Sequence, residues 1–286
     1  MIQLGLIGYP LSHSLSPVLH AAALKSLELD GEYQLYPVHP DDIDGLAELM
    51  DRIRRGTLDG LNVTIPHKQI VIPLLDELTP TAQAIGAVNT LFMRNGRLVG
   101  ENTDAPGFLT DLNRSFALSP ADKKGEKTAL VLGAGGGARA VVYALLSDGW
   151  DVTLAVRRAD LEQAAVLIKS FKRDSGNGSP RSVLLEAEAL SPLLNGLRLM
   201  VNTTPLGMFP EVDNSPWPTG LAFPKDAAVY DIVFNPRETL FVRQARAAGL
   251  HAQTGLGMLV EQAARSFSIW TGQAPPRDVM FASVEA

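Results

Sequence analysis

Lys68 and Asp104 are a lysine and a carboxylate suited to moving a single proton, and each closes a short polar segment of the 286-residue chain. Lys68 ends the run Leu61-Asn62-Val63-Thr64-Ile65-Pro66-His67-Lys68, and Asp104 ends Glu101-Asn102-Thr103-Asp104. A lysine side chain holds its proton near neutrality and can give it to an alkoxide as one forms, while a carboxylate beside it favours the charged lysine and orients both it and a hydroxyl. Both residues also have plainer readings, Lys68 as a surface lysine and Asp104 as the cap of a helix it begins. Signatures of other chemistries are missing: there is no H-E-x-x-H, no G-x-S-x-G and no G-x-x-x-x-G-K-[ST]. The five histidines lack metal-ligand spacing, and the absence of cysteine excludes disulfides, thiolate zinc sites, iron–sulfur clusters and cysteine nucleophiles.

Other segments point to ligands. Ser14-Leu15-Ser16-Pro17 precedes a helix, and two hydroxyls beside a helix start make a carboxylate site, although Ser16 followed by Pro17 also reads as an ordinary N-cap. Gly86-Ala87-Val88-Asn89-Thr90 is another polar segment of the same kind. Gly133-Ala134-Gly135-Gly136-Gly137-Ala138 fits G-x-G-x-x-A between a strand and a helix. Gly133 allows the tight turn, Gly135 and its neighbours Gly136 and Gly137 let backbone approach a pyrophosphate, and Ala138 permits close helix–strand packing. The next strand ends in Arg157-Arg158, with no acid at the strand end itself, which favours the 2′-phosphate of NADP; nearby Asp160 keeps NAD open as the alternative. Near the C-terminus, Met258, Leu259, Gln262, Ala263, Phe267 and Trp270 share a helical face. Gln262 is its polar exception, either a core amide or a ligand contact.

These residues need a scaffold that ends several strands side by side. Short apolar runs alternate with helical patterns: strand 2–8, helix 17–27, strand 33–38, helix 41–54, strand 58–63, then a hairpin over 88–100 turning at Asn95-Gly96. After a junction near 103–117 and a polar run at 119–127, a second series follows: strand 128–132, helix 136–147, strand 152–156, helix 159–171, and strands 199–202 and 229–232. This is the rhythm of parallel α/β sheets, where sites form at the C-terminal strand ends. The run 174–179 reads as a flexible surface loop. A composition 46% apolar and 20% charged is that of a globular protein long enough for two domains. A net charge of −6 without basic runs disfavours nucleic-acid or membrane-surface partners, and the opening Met1-Ile2-Gln3-Leu4-Gly5-Leu6 reads as a strand rather than a signal peptide, which predicts a cytoplasmic protein.

Taken in order with Val201-Asn202-Thr203-Thr204-Pro205 and Gly257-Met258-Leu259-Val260-Glu261-Gln262, these motifs resemble the shikimate dehydrogenase family over nearly the whole chain. The resemblance implies a two-lobed α/β fold. An open α/β substrate-binding domain would comprise 1–105 and the returning helices of 255–286, and a Rossmann-type, doubly wound dinucleotide-binding domain would span 106–254. It implies NADP-dependent, reversible reduction of 3-dehydroshikimate to shikimate in chorismate and aromatic amino-acid biosynthesis, with Lys68 and Asp104 as the catalytic pair. By the same resemblance Ser14 and Ser16 hold the substrate carboxylate, with Tyr230 near it. Asn62, Thr64, Asn89, Asp104 and Gln262 meet the ring hydroxyls, Asn202, Thr203, Thr204 and Met208 line the nicotinamide side, and Gly255 joins the coenzyme-binding residues. The family's NADP enzymes commonly read Asn-Arg-Thr after the second strand where this chain reads Val156-Arg157-Arg158, which leaves coenzyme choice less determined than the reaction. The alternatives are a quinate/shikimate dehydrogenase using NAD and a non-catalytic ligand sensor on the same fold; retention of Lys68 and Asp104 counts against the sensor. Monomer and homodimer both stay open.

Overall fold

The computed structural model describes residues 1–116, 127–171 and 179–285, and the chain divides into two units, Met1–Gly107 with Val260–Ala286, and Phe108–Leu259. In the first unit β1 (Ile2–Gly8) lies between two parallel partners, β2 (Gly31–Pro37) and β3 (Gly60–Val63), reached through the crossover helices α1 (Ser16–Ser26) and α2 (Ile43–Arg54). Helix α2 forms for local reasons. Asp42 accepts from the Gly45 N–H as its N-cap, and Leu46, Leu49, Met50 and Ile53 recur at helical spacing as one buried stripe. That stripe shares a core with Ile7, Leu61, Val63, Leu91 and Leu98 of the sheet.

The sheet continues through β4 (Glu77–Leu78), β5 (Thr90–Arg94) and β6 (Arg97–Glu101) in the order β2-β1-β3-β5-β6-β4, with β5 antiparallel to both of its neighbours. Short α3 (Pro80–Ile85) is capped by the Thr79 hydroxyl. Between β5 and β6, Asn95 and Gly96 both hold positive φ, 53° and 75°, as the two-residue turn read from Asn-Gly requires. Gly96→Ala is expected to lower unfolding free energy by about 1 kcal/mol with unchanged enzyme kinetics, since an added Cβ meets no neighbour and only the left-handed backbone is penalised. A urea unfolding curve beside steady-state kinetics checks it.

Helix α4 (Asp104–Phe116) occupies the expected junction, so the division between the units falls inside a helix rather than in a linker. The predicted loop at 174–178, and the polar run at 119–127 apart from Lys127, lie outside the described residues.

Among the described residues of the second unit the six strands are all parallel: β7 (Thr128–Leu132), β8 (Asp151–Val156), β9 (Arg181–Leu184), β10 (Leu199–Asn202), β11 (Ala228–Asp231) and β12 (Ala252–Thr254). Their order, β9-β8-β7-β10-β11-β12, is 3-2-1-4-5-6 within the unit, the doubly wound arrangement that places ligands at the C-terminal strand ends where the order reverses, between β7 and β10. Helices α5 (Gly136–Ser147), α6 (Leu161–Phe171), α7 (Ala187–Leu190) and α8 (Leu240–Ala247) connect and cover it. Leu130, Leu132, Met200, Val229 and Phe241 form part of its core. The edge strands β9 and β12 were not predicted, for they are only four and three residues long and carry little apolar signal. Helix α9 (Leu256–Thr271) then leads to α10 (Arg277–Glu285). Among the described residues no helix is long and apolar enough to cross a membrane.

Candidate active site

Strand β3 ends at Val63 and delivers Asn62, Thr64 and, one turn on, Lys68. The turn is fixed from both sides: the His67 N–H donates to the Thr64 carbonyl, the buried His67 ring is 2.8 Å from the Val38 carbonyl, and the Val88 N–H donates to the Lys68 carbonyl at 2.7 Å. Asp104 opens α4. The capping role considered for it falls to Asn102, whose Oδ1 accepts from the Ala105 N–H while its Nδ2 donates to the Ala87 carbonyl. The Asp104 carboxylate instead meets Lys68, with Lys68 Nζ 2.6 Å from Oδ2 and side-chain exposures of 16% and 7%.

A half-enclosed ion pair is tolerable only when its remaining oxygens are also bonded. Asn89 does this, donating from Nδ2 to Asp104 Oδ1 at 2.9 Å, while its own Oδ1 accepts from the Thr103 N–H at 2.7 Å. Gln262 Oε1 lies 3.3 Å from the same Asn89 nitrogen. Helix α9 can come this close because residue 107 is glycine: a Cβ there would stand 2.9 Å from the Gln262 nitrogen. Deeper in, Asn62 Nδ2 reaches the Asn89 carbonyl, Thr90 Oγ1 and Ser266 Oγ, and Asn62 Oδ1 accepts from the Tyr33 hydroxyl at 2.9 Å. Asn62 is therefore buried with both amide atoms engaged, a support for Asn89 more than an open contact surface.

Ser16 lies within hydrogen-bonding reach of Tyr33, and its own N–H donates to Ser14 Oγ at 3.2 Å. The N-cap reading of Ser16 is corrected: the helix already includes Ser16, Leu15 occupies the cap position, and no side chain caps it. Half-buried Thr64 rests its methyl against Gly8, where a Cβ would clash at 2.4 Å. Ser14, Ser16, Asn62, Asn89, Asp104, Lys68 and Gln262 thus join one hydrogen-bonded network of the first unit. Sequence reasoning missed Tyr33, Thr90, Thr103 and Ser266 in it. Ser266 was findable, four residues after Gln262 on the same helical stripe; Tyr33 carried no local signal. Behind Tyr33, His20 stacks at 4.3 Å, and burial lowers it to about 3, so it is neutral.

In the second unit Gly133 turns the chain at φ 106°, and any side chain there would strike Thr203 Oγ1 at 2.9 Å. Gly135 is the N-cap of α5, offers no side-chain cap, and faces open space where a Cβ would be. Uncapped first-turn N–H groups beside an open glycine surface fit a pyrophosphate. Gly137 lies against Ile232, and Ala138 is fully buried in close helix packing. Arg157 and Arg158 are largely exposed beyond β8. Arg157 grips Asp160 through Nε at 2.7 Å and a second contact at 3.3 Å, and Arg158 stands 3.7 Å from Glu186. The nearby acid that kept NAD open is thus paired with Arg157.

Thr203 donates to the Leu132 carbonyl, Asn202 orients Thr204, and Met208 is 41% exposed. Gly255 packs directly on the Ile232 backbone, where a Cβ would lie 2.4 Å from the carbonyl oxygen, so packing alone requires glycine there. Tyr230 corrects an expectation. It is fully buried, edge-on to Phe108, and its hydroxyl donates to Asp111 Oδ2 at 2.6 Å, with burial and that carboxylate pushing its pKa up. A phenol already donating its one hydrogen inside the unit has none left for a substrate carboxylate.

A parallel sheet of order 3-2-1-4-5-6 with an open glycine turn, in a chain that also pairs a lysine with a carboxylate, defines a dinucleotide-dependent oxidoreductase. A family model described as the shikimate dehydrogenase substrate binding domain matches residues 6–91, and one described as the shikimate 5'-dehydrogenase C-terminal domain matches residues 255–285. Shikimate dehydrogenase (NADP(+)) of Salinibacter ruber is 41% identical, covering 98% of this chain and 96% of the relative. The chain belongs to the shikimate dehydrogenase family. Among solved structures it is similar to the shikimate 5-dehydrogenase of Thermus thermophilus in complex with NADP(H) and shikimate, with TM-score 0.82 and 38% identity over 100% of this chain and 99% of that one. It is also similar to a quinate dehydrogenase of Corynebacterium glutamicum in complex with NAD, with TM-score 0.85 and 30% identity over 99% of this chain and 98% of that one.

Proposed function

We propose that this protein is an NADP-dependent shikimate dehydrogenase, reducing 3-dehydroshikimate reversibly to shikimate for chorismate and aromatic amino-acid biosynthesis in the cytoplasm. The observation that carries the reading is the 2.6 Å contact of Lys68 with Asp104, whose second oxygen is held by Asn89. NADPH supplies the hydride when bound. Lys68 then protonates the oxygen that gains negative charge, and Asp104 keeps the ammonium and the hydroxyl aligned. Asn89 and Gln262 hold the site's polar groups in place, and Ser14 and Ser16 bind the carboxylate. Gly133, Gly135, Gly136, Gly137 and Ala138 form the pyrophosphate turn, Arg157 and Arg158 meet the 2′-phosphate, and Asn202, Thr203, Thr204 and Met208 face the nicotinamide.

The test is nicotinamide absorbance during turnover with shikimate and with quinate, each with NADP and NAD. Shikimate with NADP is expected to be the fastest pair, and preference for quinate with NAD would replace this reading. That second reading draws on Asp160, the acid just beyond β8, which would accept from a ribose hydroxyl if it left Arg157.

Ser14→Ala with Ser16→Ala is expected to raise the shikimate KM about tenfold while kcat falls less than about threefold, because a carboxylate that does not change during reaction is bound equally in ground and transition states. The variant also loses the Ser14 acceptor of the Ser16 N–H and the Ser16 contact with Tyr33, so a melting curve is read beside the kinetics to separate lost stability from lost binding. A kinetic change confined to kcat would contradict the carboxylate role.

A further inference from the structure

Asp231, the last residue of β11, is completely buried and has no part in the chemistry above. Three donors point at it: Asn202 Nδ2 at 2.8 Å and the Val233 N–H at 3.0 Å on Oδ1, and the Thr239 hydroxyl at 2.7 Å on Oδ2. Its Oδ1, which takes both Asn202 and the Val233 N–H, draws the Asn202 amide nitrogen inward, where that nitrogen also lies 3.4 Å and 3.5 Å from the Thr204 and Leu206 carbonyls. Asn202 Oδ1 then faces outward and accepts from the Thr204 N–H at 3.0 Å and the Thr204 hydroxyl at 2.7 Å. An amide in the opposite orientation would set its NH₂ against those two donors. The same loop is tied on its other side by Thr203 Oγ1 donating to the Leu132 carbonyl at 2.6 Å, just before the glycine turn.

We infer that Asp231 is a positioning residue for the coenzyme: by fixing the orientation of Asn202 it sets the shape of the 203–206 loop that receives the nicotinamide half of the dinucleotide. The inference rests on reading residues 202–208 as the nicotinamide side. Burial pushes the Asp231 carboxyl up to about 7 against the pull of its three hydrogen bonds. Leucine or valine there would leave these three donors without their acceptor, and neither would orient Asn202.

The experiment titrates NADPH and NADH separately into full-length Asp231→Ala, which removes the acceptor for Asn202, reading nicotinamide fluorescence. Because the loop meets a part common to both coenzymes, both dissociation constants should rise by the same factor, about five- to tenfold, with the shikimate KM unchanged. Asp231→Asn keeps an oxygen for Asn202 and the Val233 N–H and turns its amide nitrogen to the Thr239 hydroxyl, which can accept, so it should retain most of the affinity; an asparagine variant as weak as the alanine one, or a loss in Asp231→Ala limited to melting temperature, overturns the inference. Met208→Ala separates the two layers of argument. Weaker coenzyme binding in Met208→Ala with normal binding in Asp231→Ala removes Asp231 and leaves the loop assignment standing, while normal binding in both removes the loop assignment and Asp231 with it.

Discussion

Replacing Lys68 by alanine is expected to lower kcat by roughly 10²–10⁴, the usual worth of a positioned acid or base, while the dissociation constant for NADP changes less than about twofold. The coenzyme residues proposed above all belong to the second unit, whereas Lys68 and its partner Asp104 belong to the first. Removing the ammonium also leaves a buried carboxylate bonded to Asn89 alone, so part of any loss of activity in Lys68→Ala could come from a disturbed Asp104. Lys68→Gln addresses this, since an amide N–H can still donate to Asp104 but cannot deliver a proton. Both variants should be similarly slow, with Lys68→Gln melting closer to the parent. Single-turnover absorbance at saturating coenzyme measures the effect, and turnover near the parent rate in either variant would sink the assignment of Lys68 as the acid.

The second large effect concerns coenzyme choice. Arg157→Ala with Arg158→Ala is expected to weaken NADP binding about ten- to a hundredfold and to leave NAD no weaker, because only NADP carries the 2′-phosphate that two guanidinium groups would grip, while the Asp160 released from Arg157 can accept from the ribose hydroxyl of NAD. The two positions are not equivalent. Arg157 also neutralises Asp160, so its loss both removes a cation and uncovers an acid, whereas Arg158, among the described residues, has a 3.7 Å contact with Glu186 to give up. Arg157→Ala should therefore cost more NADP affinity than Arg158→Ala. Both guanidinium groups are solvent-exposed, so raising salt should reproduce part of the loss in the parent enzyme. Titration of both coenzymes into the parent and the three variants decides it, and equal losses for NADP and NAD would mean that the arginines merely support the local fold.

Much of the architecture is local and was legible in the chain itself. The strands β1 and β7 and the helix α5 were read at their observed bounds, Ile2–Gly8, Thr128–Leu132 and Gly136–Ser147, because apolar periodicity and a glycine turn act over only a few residues. The turn at Asn95-Gly96 followed from two positive φ angles that few other residue pairs adopt. The pairing of Lys68 with Asp104 was anticipated from their types and from the family's motif order, and chain geometry then brought them to 2.6 Å. What tertiary structure alone decided is which groups are already satisfied. Asn62 looked like a ligand contact, but Ser266, 204 positions away, and Tyr33 of β2 complete its hydrogen bonds. Tyr230 looked available until the turn of α4 that carries Asp111 enclosed it. Asp231 drew no reading from the sequence, and its role comes only from Asn202, Val233 and Thr239 converging on it. Hydrogen bonds of that kind join residues far apart in sequence, and a side chain's type cannot report whether its donors and acceptors have already been taken; only the stacking of helices on sheets brings those partners within about 3 Å.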